Sequence, residues 1–149
     1  MIQLEGPGIK DSFNVRSDVI SVIDMVFLHG CARPTLCVLY EGVSKTSGAS
    51  QPGRYLKTYV INSRERELDH VPWNKVGVDQ TAYMVIAVPK PSGGLIVVGE
   101  NAISYVNTGQ DQQSVICQTA TICSFGFIDE AGSRLLFGDA MGTLYLLTL

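Results

Sequence analysis

The sequence contains few of the residues that typify disulfide-rich proteins, nucleic-acid-binding proteins and many enzymes. Its 149 residues include four Cys, two His and one Trp, and four Cys in a chain of this length do not indicate a disulfide scaffold. Lys and Arg together number 11, and the formal net charge is −3. This charge argues against a strong electrostatic hold on nucleic acid, which requires clustered basic side chains. The expected location is a reducing compartment, the cytoplasm or nucleus.

The sequence also lacks long hydrophobic runs. No apolar run approaches the roughly 18 residues that a membrane span requires, and no secretory apolar segment follows Met1. Hydrophobic residues nevertheless make up 46% of the chain and charged residues 17%, which are proportions of a folded globular protein. We therefore expect a domain with a hydrophobic core and no membrane partner.

The closing segment of the chain has an earlier copy about 40 residues upstream. The run "GSRLLFGDAMGTLYLLT" (residues 132–148) repeats the pattern of "GGLIVVGENAISYVN" (residues 93–107), with Gly99 and Gly138 in matching places. A looser third copy lies at residues 34–61. Each copy carries a tyrosine at the same point of its last strand, and we expect these tyrosines to fill the space between repeats: Tyr59, Tyr105 and Tyr145. The two glycines would allow a close backbone approach before that strand.

Each copy follows another apolar run with β character, so the repeating unit is strand, turn, strand, turn, strand. A period of about 40 residues with several short strands is typical of β-propeller blades. The sequence therefore predicts an all-β fold, a partial β-propeller of about three blades of antiparallel strands. The blades are expected at residues 13–62, 82–107 and 120–149, within one propeller fragment that spans residues 1–149. The alternative is a β-sandwich of three sheets.

Three blades would leave two faces uncovered, because propellers typically close with four to eight blades. The chain also opens with "MIQL" and closes within an apolar run. We therefore expect either a fragment of a longer protein or one piece of a larger assembly. Neighbouring chains, self-association of the fragment or an unusual closure would then cover the exposed faces.

The sequence predicts no catalytic, cofactor-binding or metal-binding residues. His29 and His70 lie outside any motif, and the Cys spacing is too wide for the usual zinc-binding turn. Cys37 and Cys123 alternate with apolar residues and are expected to be buried thiols, and carboxylates such as Asp139 are expected to cap turns. A small β-fold enzyme or ligand-binding domain remains the alternative of another class. It would require titratable groups that converge in one pocket.

Several linked motifs resemble one known family. They are K-T-Y followed by R-E-x-E and P-W (residues 57–73), M-V-I-A-V-P-x-P-x-G-G (residues 84–94) and G-S-R-x-L-x-G-D (residues 132–139). Together with residues 13–40, they make the chain similar to the later part of the first β-propeller in the family of the damaged-DNA-binding protein's large subunit. The loop "EGVSKTSGASQPG" is longer than is usual in that family.

This resemblance implies a non-enzymatic scaffold, the adaptor of a cullin–RING E3 ubiquitin ligase. The adaptor acts in protein ubiquitination and nucleotide-excision DNA repair, in the nucleus and cytoplasm. In the family, the first and third propellers receive WD-repeat substrate receptors, and the second propeller, in the rest of the full-length protein, holds the cullin. Contact with damaged DNA is then indirect, through a partner subunit. Relatives of the same architecture act in pre-mRNA splicing and polyadenylation, and they are the alternative within this class.

The resemblance also suggests partner-binding residues. Arg16, in the F-N-x-R motif, is the first candidate for a receptor contact, because an Arg in a cleft can fork onto a carboxylate or carbonyl. Arg54, which precedes K-T-Y, and Glu67, which ends R-E-x-E, are further candidates. For all three the alternative is an exposed charge or one that braces a blade. Trp73, expected in a loop, would be an interface anchor or would plug the bottom of a blade.

Overall fold

The computed structural model describes the backbone of residues 2–4, 9–12, 14–44, 51–62, 64–76, 78–107, 112–117 and 121–149. Within these ranges the chain forms strands and turns, with no helix, and the all-β expectation is confirmed. No helix of the described residues is long and apolar enough to cross a membrane. The strands are β1 (Ile2–Leu4), β2 (Ile9–Ser12), β3 (Val22–Phe27), β4 (Thr35–Ser44), β5 (Gln51–Asn62), β6 (Glu67–Val76), β7 (Met84–Ala87), β8 (Leu95–Val98), β9 (Ala102–Val106), β10 (Gln113–Ile116), β11 (Ile122–Phe127), β12 (Arg134–Asp139) and β13 (Leu144–Thr148).

Three antiparallel meanders follow one another along the chain. Sheet 1 has the order β3-β4-β5-β6, sheet 2 has the order β7-β8-β9-β10, and sheet 3 has the order β11-β12-β13. A two-stranded β1-β2 hairpin precedes them. The first strands of sheets 1 and 2 lie side by side, and the carboxylate of Asp24 accepts a hydrogen bond from the backbone N–H of Val85 at 2.8 Å. Sheets 1 and 2 are thus joined at their first strands.

The hydrophobic core is divided between the two sheet-to-sheet interfaces. Alternate residues of β4, among them Cys37 and Leu39, pack against Leu95 and Val97 of β8. The other two residues of β8 pack against sheet 3 (Leu135 and Phe137). All four β8 residues are buried, because sheet 2 is covered on both faces. This double burial explains why β8 is a continuous apolar run rather than an alternating one.

The three repeat tyrosines occupy different environments. Tyr105 and Tyr145 pack against the cluster between sheets 2 and 3, as expected. Their hydroxyls point to opposite ends of the sheets, since Tyr105 donates to the carbonyl of Gly93 at 2.9 Å and Tyr145 donates to Asp139 at 2.9 Å. Tyr59 is fully buried but lies on the face of sheet 1 directed away from sheet 2. Successive side chains of β5 point to opposite faces of the sheet. Leu56, three residues before Tyr59, faces sheet 2, so Tyr59 faces the other way.

The structure contains strands that lie outside the expected blades. The charged stretch after residue 62 forms only a short turn at residues 64–66 before β6 begins at Glu67. Trp73 therefore lies in a strand rather than a loop. Gln113–Ile116, which follow the expected second blade, add β10 as the fourth strand of sheet 2. Each of these strands pairs with a neighbour on one side only, and an edge strand tolerates the polar residues that masked its pattern.

Two smaller expectations have different outcomes. A Cβ atom added to Gly138 would lie 2.6 Å from the Ser124 hydroxyl, and one added to Gly99 would lie 3.0 Å from the Asp79 carboxyl carbon, so both glycines permit a close approach, but of a side chain rather than of backbone. Cys37 is buried, but the expectation for Cys123 was wrong because this thiol is exposed. The pairing register of β11 shifts between Ile122 and Ser124, and such a bulge redirects the side chain at that position.

Candidate interaction surfaces

An extended segment, residues 14–20, lies against the free face of sheet 1. It is held by Asp18, whose carboxylate accepts hydrogen bonds from the ammonium group of Lys57 and from the hydroxyl of Tyr59. The Lys57 bond, followed by the Tyr59 bond, lowers the pKa of Asp18 to about 2. Burial of the phenol, reinforced by the neighbouring carboxylate, raises the pKa of Tyr59 above its usual value. At neutral pH this contact is a charged carboxylate held by two donors.

An apolar groove lies beside this segment, on the same face of sheet 1. Its volume is about 510 Å³. Val15 and Ser17 line it on one side, and Arg16, which lies between them, is exposed to solvent at the rim. The floor is formed by side chains of all four strands of the sheet: Val22, Met25, Phe27, Leu36, Val38, Tyr59, Ile61 and Leu68. Arg16 has no ion-pair partner among the described residues and lies at the edge of an apolar surface, an arrangement suited to a protein partner.

Arg54 has a bracing position instead. Its Nη1 atom lies 3.4 Å from a carboxylate oxygen of Glu41 on the paired strand. Its Nε–H donates to the carbonyl of Gln80 at 3.3 Å, in the segment that connects sheet 1 to sheet 2. One guanidinium therefore links sheet 1 to the segment that leads into sheet 2, and its side chain is only partly exposed. This geometry favours the structural alternative for Arg54.

Glu67 and Trp73 do not join Arg54 in one site. Glu67 is exposed at the start of β6 and pairs with Asn62. Arg54 lies eight residues before Asn62 on β5, so at about 3.3 Å per residue the two positions are roughly 26 Å apart along the sheet. The backbone of Trp73 belongs to β6, and its side chain lies outside the described residues. Three of the candidate residues are therefore distributed over sheet 1, with Arg16 in the segment before it, rather than gathered at one point.

A second concave surface lies between sheets 1 and 2, at the end where the β3–β4 and β7–β8 turns meet. It measures about 470 Å³ and is lined by His29, Cys31 and Lys90 among others. Arg33 also lines it, and Arg33 pairs with Asp69 at 3.1 Å. Among the described residues, no group of three or more His, Cys, Asp or Glu side chains is arranged to hold a metal ion.

The acidic side chains with lowered pKa values stabilise turns. Asp139 accepts hydrogen bonds from the backbone N–H groups of Met141 and Thr143 and from the hydroxyl of Tyr145. The bond from Thr143 contributes most to the lowered pKa of Asp139. Asp129 accepts the backbone N–H of Ser133, which is the main reason its own pKa is lowered. Carboxylates engaged in this way hold local structure, and their lowered pKa values keep them ionised at neutral pH.

Comparison with known proteins decides what these sheets belong to. A family model described as "RSE1/DDB1/CPSF1 first beta-propeller" matches residues 2–149. The chain belongs to this family.

Curated relatives of this chain support the same family assignment. The chain is 35% identical to DNA damage-binding protein 1 of Oryza sativa subsp. japonica over 141 residues, which is 95% of this chain and 12% of that protein. It is 33% identical to DNA damage-binding protein 1a of Arabidopsis thaliana and to DNA damage-binding protein 1 of Solanum lycopersicum, with the same coverage. The chain thus spans 12% of the length of these relatives.

Membership in this first-propeller family confirms the partial β-propeller and the resemblance seen in the sequence. The three meanders are blades, and the fold is that of a family of adaptor scaffolds. The apolar groove was not identified from the sequence, although β3 carried a signal for it. The β3 sequence "VIDMVF" has apolar residues on both faces of the strand. This pattern is typical of a blade that is packed on both sides.

Proposed function

We propose that this chain is a non-enzymatic protein-interaction module that helps to bind WD-repeat substrate receptors of a cullin–RING E3 ubiquitin ligase. Its membership in the first-propeller family carries the proposal. The curated relatives named above are all DNA damage-binding proteins, which favours this branch over splicing or polyadenylation factors. The groove with Arg16 at its rim is the surface that we assign to a receptor contact.

The mechanism follows from the physical character of this surface. Apolar strand side chains provide contact area, and Arg16 provides a charged fork at its edge, the combination found at energetically dominant positions of interfaces. The Asp18 contact with Lys57 and Tyr59 fixes the segment that carries Arg16 before a partner arrives. A prearranged segment loses less conformational entropy on binding.

Under this proposal, cullin binding and contact with damaged DNA belong to other parts of the ligase complex. The cullin would bind elsewhere in a full-length protein, and damaged DNA would be contacted through a partner subunit. The net charge of −3 agrees with an indirect role in DNA binding. We propose that the protein acts in the nucleus and cytoplasm, in ubiquitination and nucleotide-excision repair.

Affinity purification of the tagged chain from nuclear extract, with mass spectrometry of the captured proteins, tests this proposal. We expect several WD-repeat receptors to be enriched over a tag-only control. Enrichment of splicing or polyadenylation factors without such receptors would assign the chain to the other branch of the family. Enrichment of neither class would contradict the interaction role of the isolated module.

A further inference from the structure

The cavity between the β3–β4 and β7–β8 turns has a basic rim, although the chain as a whole is acidic. His29, Arg33 and Lys90 line this cavity of about 470 Å³, and all three residues are exposed to solvent. Among the described residues that line it, none is Asp or Glu. In a chain with a formal net charge of −3, a cavity with Lys and Arg at its rim and no carboxylate in its lining is complementary to a negatively charged ligand.

The two turns position Lys90 at this rim. Gly30 lies in the β3–β4 turn with a φ of +77°, and a Cβ atom added there would overlap the aliphatic stem of Lys90. The glycine therefore allows the stem of Lys90 to lie against the opposite turn. Arg33 is bound to Asp69 at 3.1 Å, whereas Lys90 has no ion-pair partner among the described residues. Lys90 is thus the cation that remains available to an incoming carboxylate.

Apolar side chains line much of the remaining cavity. They come from β5 and from the two turns: Leu28, Ala32, Val60 and Pro91. On β5, Val60 faces this cavity and its neighbour Tyr59 lines the groove, because successive strand residues point to opposite faces of the sheet. The cavity and the groove are therefore separate surfaces on the two sides of sheet 1.

We propose that this cavity binds an acidic peptide segment of a protein partner, with an apolar side chain between the turns and carboxylates at the rim. The apolar lining and the Lys90 ammonium group each match one part of such a segment. A small anion would contact only the exposed cations, where solvent and salt screen the attraction. A peptide that makes both contacts also buries apolar area, so it fits this surface better than a free ion does.

Fluorescence anisotropy with labelled peptides tests this proposal on the complete chain. The probe is fluorescein-labelled Asp-Glu-Leu-Glu-Asp, and the comparison peptides are Asp-Glu-Ser-Glu-Asp and Asn-Gln-Leu-Gln-Asn with the same label. We expect the probe to bind more tightly than either comparison peptide, because each of them lacks one of the two contacts. Absence of probe binding, equal affinities of all three peptides, or displacement of the probe by millimolar phosphate at constant ionic strength would overturn the proposal.

Charge reversals on the protein locate the binding. Lys90→Glu should weaken probe binding about tenfold, because a repulsion replaces an attraction. Arg64→Glu is the matched control, since Arg64 is exposed in the turn after β5 and does not line the cavity, and it should change the affinity much less. Loss of binding in Arg16→Glu with retention in Lys90→Glu would place the peptide in the groove and overturn the proposal. All three side chains are exposed, so circular dichroism should show the same fold in each variant.

Thiol protection gives a second readout that requires no substitution. Cys31 is exposed and lines the cavity, whereas Cys123 is exposed on sheet 3. In the wild type, saturating probe should slow the reaction of Cys31 with N-ethylmaleimide and leave that of Cys123 unchanged, as followed by mass spectrometry of tryptic peptides. An unchanged rate at Cys31 would mean that the probe binds elsewhere, and the proposal would be wrong.

Discussion

The hydroxyl of Tyr59 donates a hydrogen bond of 2.5 Å to the carboxylate of Asp18, which lies 41 residues earlier in the chain. Lys57, two residues before Tyr59 on β5, binds the same carboxylate. This contact attaches residues 14–20 to sheet 1 and so places Arg16 at the rim of the groove. The position of a candidate binding residue thus depends on a polar contact with a strand that is distant in sequence.

Removing the Tyr59 hydroxyl should therefore loosen that segment. We expect Tyr59→Phe to lower the free energy of unfolding by about 1 kcal/mol, the typical net value of one hydrogen bond, in chemical denaturation. Tyr40→Phe is the matched control, because the ring of Tyr40 contacts Tyr55 with centroids 5.7 Å apart and this contact survives the change. Equal losses in the two variants would contradict a specific role for the Tyr59–Asp18 bond.

The Asp18 contact also predicts a pH dependence. The folded-state pKa is about 2, whereas an unperturbed Asp has a pKa of about 3.9. A lowered folded-state pKa means that the contribution to stability is complete above the unfolded value and is lost as the pH falls through about 4 towards 2. The thermal midpoint of the wild type should exceed that of Asp18→Asn by a constant amount above about pH 5. A difference that persists unchanged down to pH 2 would refute this assignment.

The turn before β12 should tolerate no side chain at Gly132. Its φ is +68°, and an added Cβ atom would lie 2.4 Å from Cδ of Pro89. Gly142 has a φ of +86° with open space around it, so Gly142→Ala measures the backbone cost alone, about 1 kcal/mol. We expect Gly132→Ala to lower the free energy of unfolding by clearly more than Gly142→Ala, because the proline ring cannot swing away. Equal losses in denaturant titrations would mean that the loop carrying Pro89 yields freely.

The phenol of Tyr83 adds a polar contact to the apolar interface between sheets 2 and 3. The hydroxyl of Tyr83 accepts the backbone N–H of Ile122 at 2.8 Å and donates to the Ile122 carbonyl at 3.1 Å. Tyr83→Phe leaves both buried backbone groups without this partner and should cost about 1–3 kcal/mol. Relative to the wild type, hydrogen exchange in Tyr83→Phe should accelerate more at the Ile122 amide than at the amides of β8. Unchanged protection at Ile122 would show that the hydroxyl contributes little to this junction.

More of the fold than of the interaction surfaces could be predicted from the sequence. Repeated apolar strands and matching glycines indicated the three sheets, because blade strands are short and buried. β6 and β10 escaped detection because they carry polar residues of the kind that is common in loops. The surfaces depended on contacts such as Asp18 with Tyr59 and Arg54 with the Gln80 carbonyl. No local pattern encodes these contacts, because their partners are brought together only by the packing of the strands.

The most direct test of the proposed role is calorimetric titration of the chain with a purified WD-repeat receptor, comparing the wild type with Arg16→Ala. Arg64→Ala is the control, since Arg64 is exposed in the turn before β6. We predict measurable binding that Arg16→Ala weakens about tenfold, a loss of about 1.4 kcal/mol, with unchanged thermal midpoints and no effect of Arg64→Ala. Absence of binding to the wild type would contradict the receptor-binding role, and equal affinities of all three proteins would contradict its assignment to Arg16.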